Sequence, residues 1–105
     1  MSDPNLLEAL EYASPATAAV TTVSGAKVSA NAQRGYLCIT NLTAEPVFLG
    51  VGVAGEDSKG IPLMTIGSSA EFIPGQNMTH DAIYAKTAAN TATLAVQEAN
   101  FASNV

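Results

Sequence analysis

Hydrophobic alternation with a period of two is the feature that most constrains how this chain folds. From Ala16 onward the sequence consists of short segments rich in Thr and Val in which side chains alternate in polarity, as in half-buried β-strands. The alternation is clearest near the end, where Ala92, Leu94 and Val96 share one face. Turn-forming residues separate the segments. The pattern predicts eight strands, over residues 17–23, 26–30, 35–42, 46–53, 61–65, 70–73, 82–87 and 91–98.

These segments predict the fold class. Eight short strands with turn signals between them favour an all-β fold, either a single antiparallel β-sandwich or a jelly-roll-like domain, over residues 16–105. A length of 105 residues fits one domain. In the fourth predicted strand, Gly50 and Gly52 lie on one face, where they are expected to let another backbone or a bulge approach.

Residues 1–15 are predicted to form an N-terminal arm with a short helix. Asp3 is in the position of an N-cap with Pro4 at the first helical position, and the leucines that follow fall on one side. Pro15 ends the pattern. Because a helix of two or three turns is marginal in water, the arm is expected to need a partner surface.

The composition points to a neutral surface that packs against other proteins. Only 12% of residues are charged, while the chain contains 19 Ala and 10 Thr, so much of its surface must be uncharged. A net charge of −5 opposes a phosphate backbone, so no direct contact with nucleic acid is expected. No apolar segment has the length of a membrane span. We therefore expect that the protein does not associate with membranes. We also expect it to be synthesised in a reducing cytoplasm.

The sequence offers no constellation that indicates catalysis, a metal or a cofactor. Cys38, the single cysteine, lies in an apolar run and is expected to fill the core. His80, the single histidine, is expected in a loop, where a metal site would need further ligands. Glu56 and Asp57 are expected at a solvated hairpin tip. The prediction is a protein that is not an enzyme and holds no cofactor.

Several segments in order resemble small β-sandwich proteins from the virions of tailed bacteriophages, namely head decoration (cement) proteins and head-fibre or spike domains. The resemblance covers residues 20–98 and is carried by the run from Arg34, RGYLCITNLTAEPVFLGVG, followed by Gly60-Ile61-Pro62-Leu63, Ala70-Glu71-Phe72, Ala82-Ile83-Tyr84-Ala85 and Thr93-Leu94-Ala95-Val96. It implies a capsid decoration protein on the virion surface that stabilises the head by binding the major capsid protein or other virion subunits.

The docking surface is expected to combine the apolar side of the arm with tyrosines that show a hydroxyl at the surface. Its predicted residues are Leu6, Leu7, Leu10, Tyr12, Tyr36 and Tyr84. The arm could instead fray or cover one end of its own sandwich. A homo-oligomer is also expected, with a trimer favoured because capsids offer threefold sites.

The alternative function is a sugar- or receptor-binding domain of a phage fibre or spike. Such a site normally presents an aromatic platform beside polar loops, and the chain has no Trp. Exposure of Tyr36 and Tyr84 in one groove would favour this alternative. An enzyme would require a pocket in which two titratable groups converge.

Overall fold

Two antiparallel β-sheets make up the computed structural model, which describes residues 10–102. No helix occurs in this part of the chain. Its strands are β1 (Leu10–Tyr12), β2 (Ala16–Val20), β3 (Gly25–Val28), β4 (Arg34–Asn41), β5 (Val47–Val51), β6 (Ile61–Leu63), β7 (Ser69–Phe72), β8 (Ile83–Thr87) and β9 (Ala92–Phe101).

The longest strand, β9, organises the first sheet, which we call sheet A. One side of β9 pairs with β1 and β2 in succession, and the other side pairs with β4, which in turn pairs with β7. Sheet B has the order β3-β8-β5-β6. All the strand pairs are antiparallel, which confirms the predicted all-β, antiparallel class.

A shared apolar core joins the inner faces of the two sheets. It draws side chains from both, as expected when two sheets pack face to face. Its buried members are Val20, Val28, Leu37, Ile39, Val47, Leu49, Leu63, Phe72, Ile83, Ala85, Ala92 and Leu94. Each of the eight predicted strands overlaps one of β2 to β9, because the inward positions of these strands follow the alternation in the sequence.

The predicted N-terminal helix is wrong where the structure describes it. Leu10 to Tyr12 form strand β1, in register with Phe101 to Ala99 of β9. Strand pairing satisfies the backbone groups at the end of β9, and this outweighs the weak preference of a short isolated helix. Leu6 and Leu7 lie outside the described residues, and the division of the chain at residue 15 stays a prediction for residues 1–9.

A β-bulge interrupts the pairing of β4 with β9. Arg34 is in register with Asn100 and Tyr36 with Ala99, so Gly35 is an extra residue on β4. A Cβ atom at Gly35 would lie 2.6 Å from the Cδ2 atom of Leu10. The absence of a side chain at this position therefore lets β1 pack over the bulge.

Arg34 is fully buried and ties the two sheets together at one end of the molecule. Its Nε atom donates to the carboxylate of Glu98 at 2.7 Å. Its two terminal nitrogens donate to the backbone carbonyls of Ser29 at 2.8 Å, Thr79 at 2.8 Å and Asp81 at 3.1 Å. The guanidinium thus connects β4 and β9 with two loops beside sheet B.

Asn41 has the matching role at the other end of β4. Its buried side-chain amide donates to the carbonyls of Glu45 at 2.8 Å and Leu63 at 3.0 Å. Its side-chain oxygen accepts from both the backbone N–H and the hydroxyl of Thr43. Both ends of the central strand are therefore fixed by a buried, hydrogen-bonded polar side chain.

The outer face of sheet B is partly covered by the loop that follows β5. The connection between β5 and β6 folds back so that a Cβ atom at Gly50 would overlap the backbone of Val53 and Ala54. The predicted close approach of another backbone at Gly50 is confirmed. Phe48 of the same face is only 6% exposed as a result.

Candidate protein-binding face

The outer face of sheet A is the candidate functional site, and we call it the A-face. Strand register places the alternate residues of five strands on this side, away from the core. The A-face consists of Leu10, Tyr12, Thr17, Ala19, Tyr36, Cys38, Thr40, Ser69, Glu71, Thr93, Ala95, Gln97, Ala99 and Phe101. Strand spacings give it an area of roughly 600 Å², comparable to the ~800 Å² per partner of a specific protein interface.

The A-face carries almost no charge. Glu71 is its one acidic or basic residue. Apart from the interior pair of Arg34 with Glu98, the ion pairs of the described residues lie on the sheet B side, where Lys86 contacts Asp57 and Lys59 lies 3.4 Å from Glu56. Because uncharged groups lose less hydration free energy on burial than ions do, this side of the molecule is the one suited to being covered by another protein.

One end of the A-face is apolar and aromatic. The rings of Tyr12 and Tyr36 lie 6.0 Å apart with a tilt of 56°, within the range of favourable aromatic pairs. Ala99 is in register with both and is buried beneath them. Tyr12 is 60% exposed and Phe101 is 38% exposed. We call Leu10, Tyr12, Tyr36 and Phe101 the aromatic end.

The single carboxylate of the face is held by a tyrosine. Tyr36 donates its hydroxyl to the carboxylate of Glu71 at 2.5 Å. This hydrogen bond is the main cause that raises the pKa of Tyr36, and burial of the ring adds to the effect. The Tyr36 hydroxyl therefore remains a donor to Glu71, which lowers the cost of covering this carboxylate.

A shallow depression of about 120 Å³ occupies the middle of the A-face. It lies between Pro15 and Thr40, over Cys38 and Ala95. Cys38 is half-buried and points to the outer side of β4, so its predicted place in the core is wrong. The run around Cys38 is apolar throughout, so the sequence did not reveal which of its alternate residues face inward.

The structure brings together three of the predicted interface residues. Leu10, Tyr12 and Tyr36 all belong to the aromatic end, although they come from two strands. Tyr84 lies on β8, on the outer side of sheet B, and so cannot share a groove with Tyr36. Sequence reasoning missed Phe101 as a site residue, because its place beside Leu10 depends on the pairing of the two chain ends.

Other features of the described residues add no chemical site. Within residues 10–102, no three His, Cys, Asp or Glu side chains come together in a group that could hold a metal ion. His80 lies in a loop, with its Nε2 atom 3.3 Å from the carbonyl oxygen of Arg34. No helix of the described chain is long and apolar enough to span a membrane.

Comparison with known proteins shows a likeness of fold. No protein-family model matches the chain, and no curated protein matches it. Among solved structures, the chain is similar to one described as "Bacillus endospore appendages form a novel family of disulfide-linked pili". The TM-score is 0.50 at 17% identity, and the match covers 90% of this chain and 92% of that chain. At this identity the likeness concerns the fold alone.

Proposed function

We propose that this protein is a virion structural protein of a bacteriophage, a capsid decoration protein whose A-face docks on the major capsid protein. The observation that carries the proposal is the A-face itself, a sheet surface of roughly 600 Å² that contains a single carboxylate and an exposed aromatic end. A flat, neutral and partly apolar surface of this size has the character of an interface. The resemblance in the sequence supplies the identity of the partner.

The proposed role is mechanical. Apolar area that leaves water on docking contributes about 25 cal/mol per Å², and much of this is offset by the loss of translational and rotational freedom. Each contact is therefore modest. A shell that binds many copies through symmetric sites gains resistance to disruption from the sum of these contacts.

Three further elements belong to the proposal. The two sheets act as one sandwich, since a single core joins them. The protein associates as a homo-oligomer, and it is made in the host cytoplasm before it joins the capsid surface. The aromatic end, together with the apolar residues Leu6 and Leu7 of the N-terminus, forms the strongest part of the contact.

The test is incorporation into particles by a variant with a charge on the A-face. We expect the wild-type protein to sediment with assembled capsids at a fixed ratio to the main shell subunit. Thr40→Lys adds an ammonium group to the centre of the A-face and is expected to abolish incorporation, because the charge would be buried without a partner. Ala26→Lys makes a similar change on the outer side of sheet B, where Ala26 is exposed and in register with Tyr84, and is expected to have no effect.

Either of two results would contradict the proposal. Purified particles could lack the protein although it is abundant in the lysate. Alternatively, Ala26→Lys and Thr40→Lys could reduce incorporation equally, which would mean that the A-face has no special role. Far-UV circular dichroism of both variants checks that each one folds.

A second candidate is a subunit of a surface filament. It is favoured by the fold likeness to the protein of the Bacillus endospore appendages, which form pili. The same sedimentation experiment separates the two, because a filament subunit would be found in fibres that contain no capsid protein.

A further inference from the structure

The two sheets have four lateral edges, and three of them are blocked against another strand. At β7, the side chain of Asn77 donates to the carbonyl of Glu71 at 2.7 Å and accepts from the N–H of Ile73 at 2.8 Å, so it occupies the groups that a new strand would use. At β6, Pro62 has no N–H. At β3, a bulge interrupts the pairing at Lys27. These are devices that protect edges from pairing.

The remaining edge is formed by β1 and β2 in succession, and its β2 part has none of these devices. Its sequence, Ala-Thr-Ala-Ala-Val over Ala16–Val20, contains no charge and no proline. Its register with β9 is regular over five consecutive pairs. A regular, uncharged edge strand is the kind that pairs with another chain.

The hydrogen bonds of β9 show in which direction its peptide groups point. The carbonyl of Thr93 accepts from Leu42, on the β4 side. The carbonyl of Glu98 accepts from Ala13, on the side of β1 and β2. Since the direction alternates along a strand, the even-numbered residues of β9 between these two points bond toward β2.

The same alternation identifies the free groups of β2. Ala16, Ala18 and Val20 are in register with even-numbered residues of β9 and bond to them. Thr17 and Ala19 therefore direct their N–H and C=O groups outward. Both residues are exposed, and no residue of the described chain bonds to these groups.

We propose that β2 pairs with β2 of a second copy of this chain, antiparallel and centred on Ala18. In this register Thr17 faces Ala19 of the second copy, and Ala19 faces its Thr17. The groups that point outward therefore meet in two hydrogen-bonded pairs, which share four backbone hydrogen bonds. The edge is self-complementary because its two outward residues lie symmetrically about Ala18.

The neighbouring registers leave groups unpaired. A shift toward the start of β2 brings in Pro15, which has no N–H to donate. A shift toward its end brings in Thr21, whose carbonyl already accepts from the N–H of Thr87 at 2.9 Å. The register centred on Ala18 is thus the one in which every outward group finds a partner.

The pairing has a geometric consequence for the A-face. The two-fold axis of an antiparallel strand pair is perpendicular to the sheet, so both copies present the A-face on the same side and the two sheets become continuous. The basic unit is then a two-fold dimer, in place of the trimer favoured by the sequence. This inference does not depend on the proposed function.

The first test measures association in solution. Sedimentation equilibrium of the full chain is expected to show a concentration-dependent dimer. Thr17→Pro removes an outward N–H from each copy, two of the four shared hydrogen bonds, and is expected to weaken association about tenfold or more. The hydrogen bonds between β2 and β9 do not use this N–H, so circular dichroism and thermal unfolding are expected to show that the variant is a folded monomer.

Thr40→Lys is the matched control. It lies on the same face but on β4, away from the edge, so we expect it to dimerise like the wild type even though it is expected to lose incorporation into particles. The two variants therefore separate failure of this inference from failure of the proposed function. A wild-type protein that stays monomeric up to millimolar concentration, or a dimer that Thr17→Pro leaves intact, would overturn the inference.

The second test measures the register with a cysteine, in a Cys38→Ser background. Ala18→Cys places the two thiols opposite each other across the two-fold axis, at a separation that suits a disulfide. We expect this variant to form a covalent dimer on mild oxidation. Ala16→Cys faces Val20 of the second copy and is expected to remain uncrosslinked, whereas preferential crosslinking of this variant would refute the register.

Discussion

At the scale of single residues, buried polar side chains decide which parts of the molecule are rigid. Arg34 is fully buried yet makes four hydrogen bonds, three of them to backbone carbonyls of separate residues. No buried side-chain nitrogen or oxygen in the described part of the chain lacks a hydrogen-bond partner. Such a satisfied network is costly to break on one side, since the remaining partners stay buried.

Replacing Arg34 is therefore expected to destabilise the fold strongly. Arg34→Ala leaves three carbonyls without this donor and removes one of the two donors of Glu98, whose other donor is Asn31, and we expect a loss of about 3–5 kcal/mol in the free energy of unfolding. Lys59→Ala, in an exposed ion pair with Glu56, is the control and is expected to cost about 0–1 kcal/mol. Urea denaturation followed by circular dichroism measures both, and similar losses would contradict the role given to Arg34.

Tyr36 provides a test by pH. Its pKa is raised, first by its hydrogen bond to Glu71 and then by burial, so the folded protein holds this proton more tightly than the unfolded chain does. The contribution to stability is complete below the ordinary tyrosine pKa of about 10 and is lost as the pH rises through the higher folded value. Ultraviolet titration should show late ionisation of Tyr36, and Glu71→Gln should lower its pKa. An unchanged titration in that variant would argue against the hydrogen bond.

At the scale of strands and loops, the sequence predicted what depends on local alternation and missed what depends on distant pairing. The eight predicted strands are present because each one buries alternate residues. Strand β1 was missed because Leu10 to Tyr12 pair with residues at the opposite end of the chain. Of the aromatic end, Leu10, Tyr12 and Tyr36 were predicted site residues, but Phe101 joins them only through that pairing.

The loop that covers sheet B depends on glycine. Gly60 has a φ of +75°, and a Cβ atom there would overlap the carbonyl oxygen of Leu49. Gly67 has a φ of +87° with open space around it. We expect Gly67→Ala to cost about 1 kcal/mol, from backbone strain alone, and Gly60→Ala to cost at least about 2 kcal/mol because strain and overlap add. Thermal unfolding measures the loss of stability in both variants. Equal losses would mean that the loop moves away from the overlap with Leu49 at little cost.

At the scale of the whole molecule, charge is divided unequally between the two sides. The A-face has one carboxylate, whereas the lysine pairs lie on the sheet B side. The net charge of −5 is a property of the whole molecule, whereas this division describes where the charges lie. Binding through the A-face involves few charges that dissolved ions could screen, while the charged opposite side keeps the protein hydrated.

Docking through the A-face should therefore depend little on salt. Raising the ionic strength from about 0.05 to 0.5 M screens exposed charges strongly, yet we expect incorporation into particles to change by less than about twofold, because apolar burial supplies the free energy. Sedimentation of particles mixed with purified protein at the two salt concentrations measures this. A steep loss of binding at high salt would indicate an electrostatic interface elsewhere on the molecule.

The extra residue in β4 has a consequence for how the chain tolerates changes in length. Arg34 and Asn41 are separated by an odd number of positions, and side chains at such a spacing point to opposite sides of an unbroken strand. Gly35 corrects the parity, so that both polar groups reach the interior. Deleting this one glycine would turn the guanidinium out toward solvent without altering the hydrophobic character of any segment. For this strand, the number of residues matters as much as their chemistry.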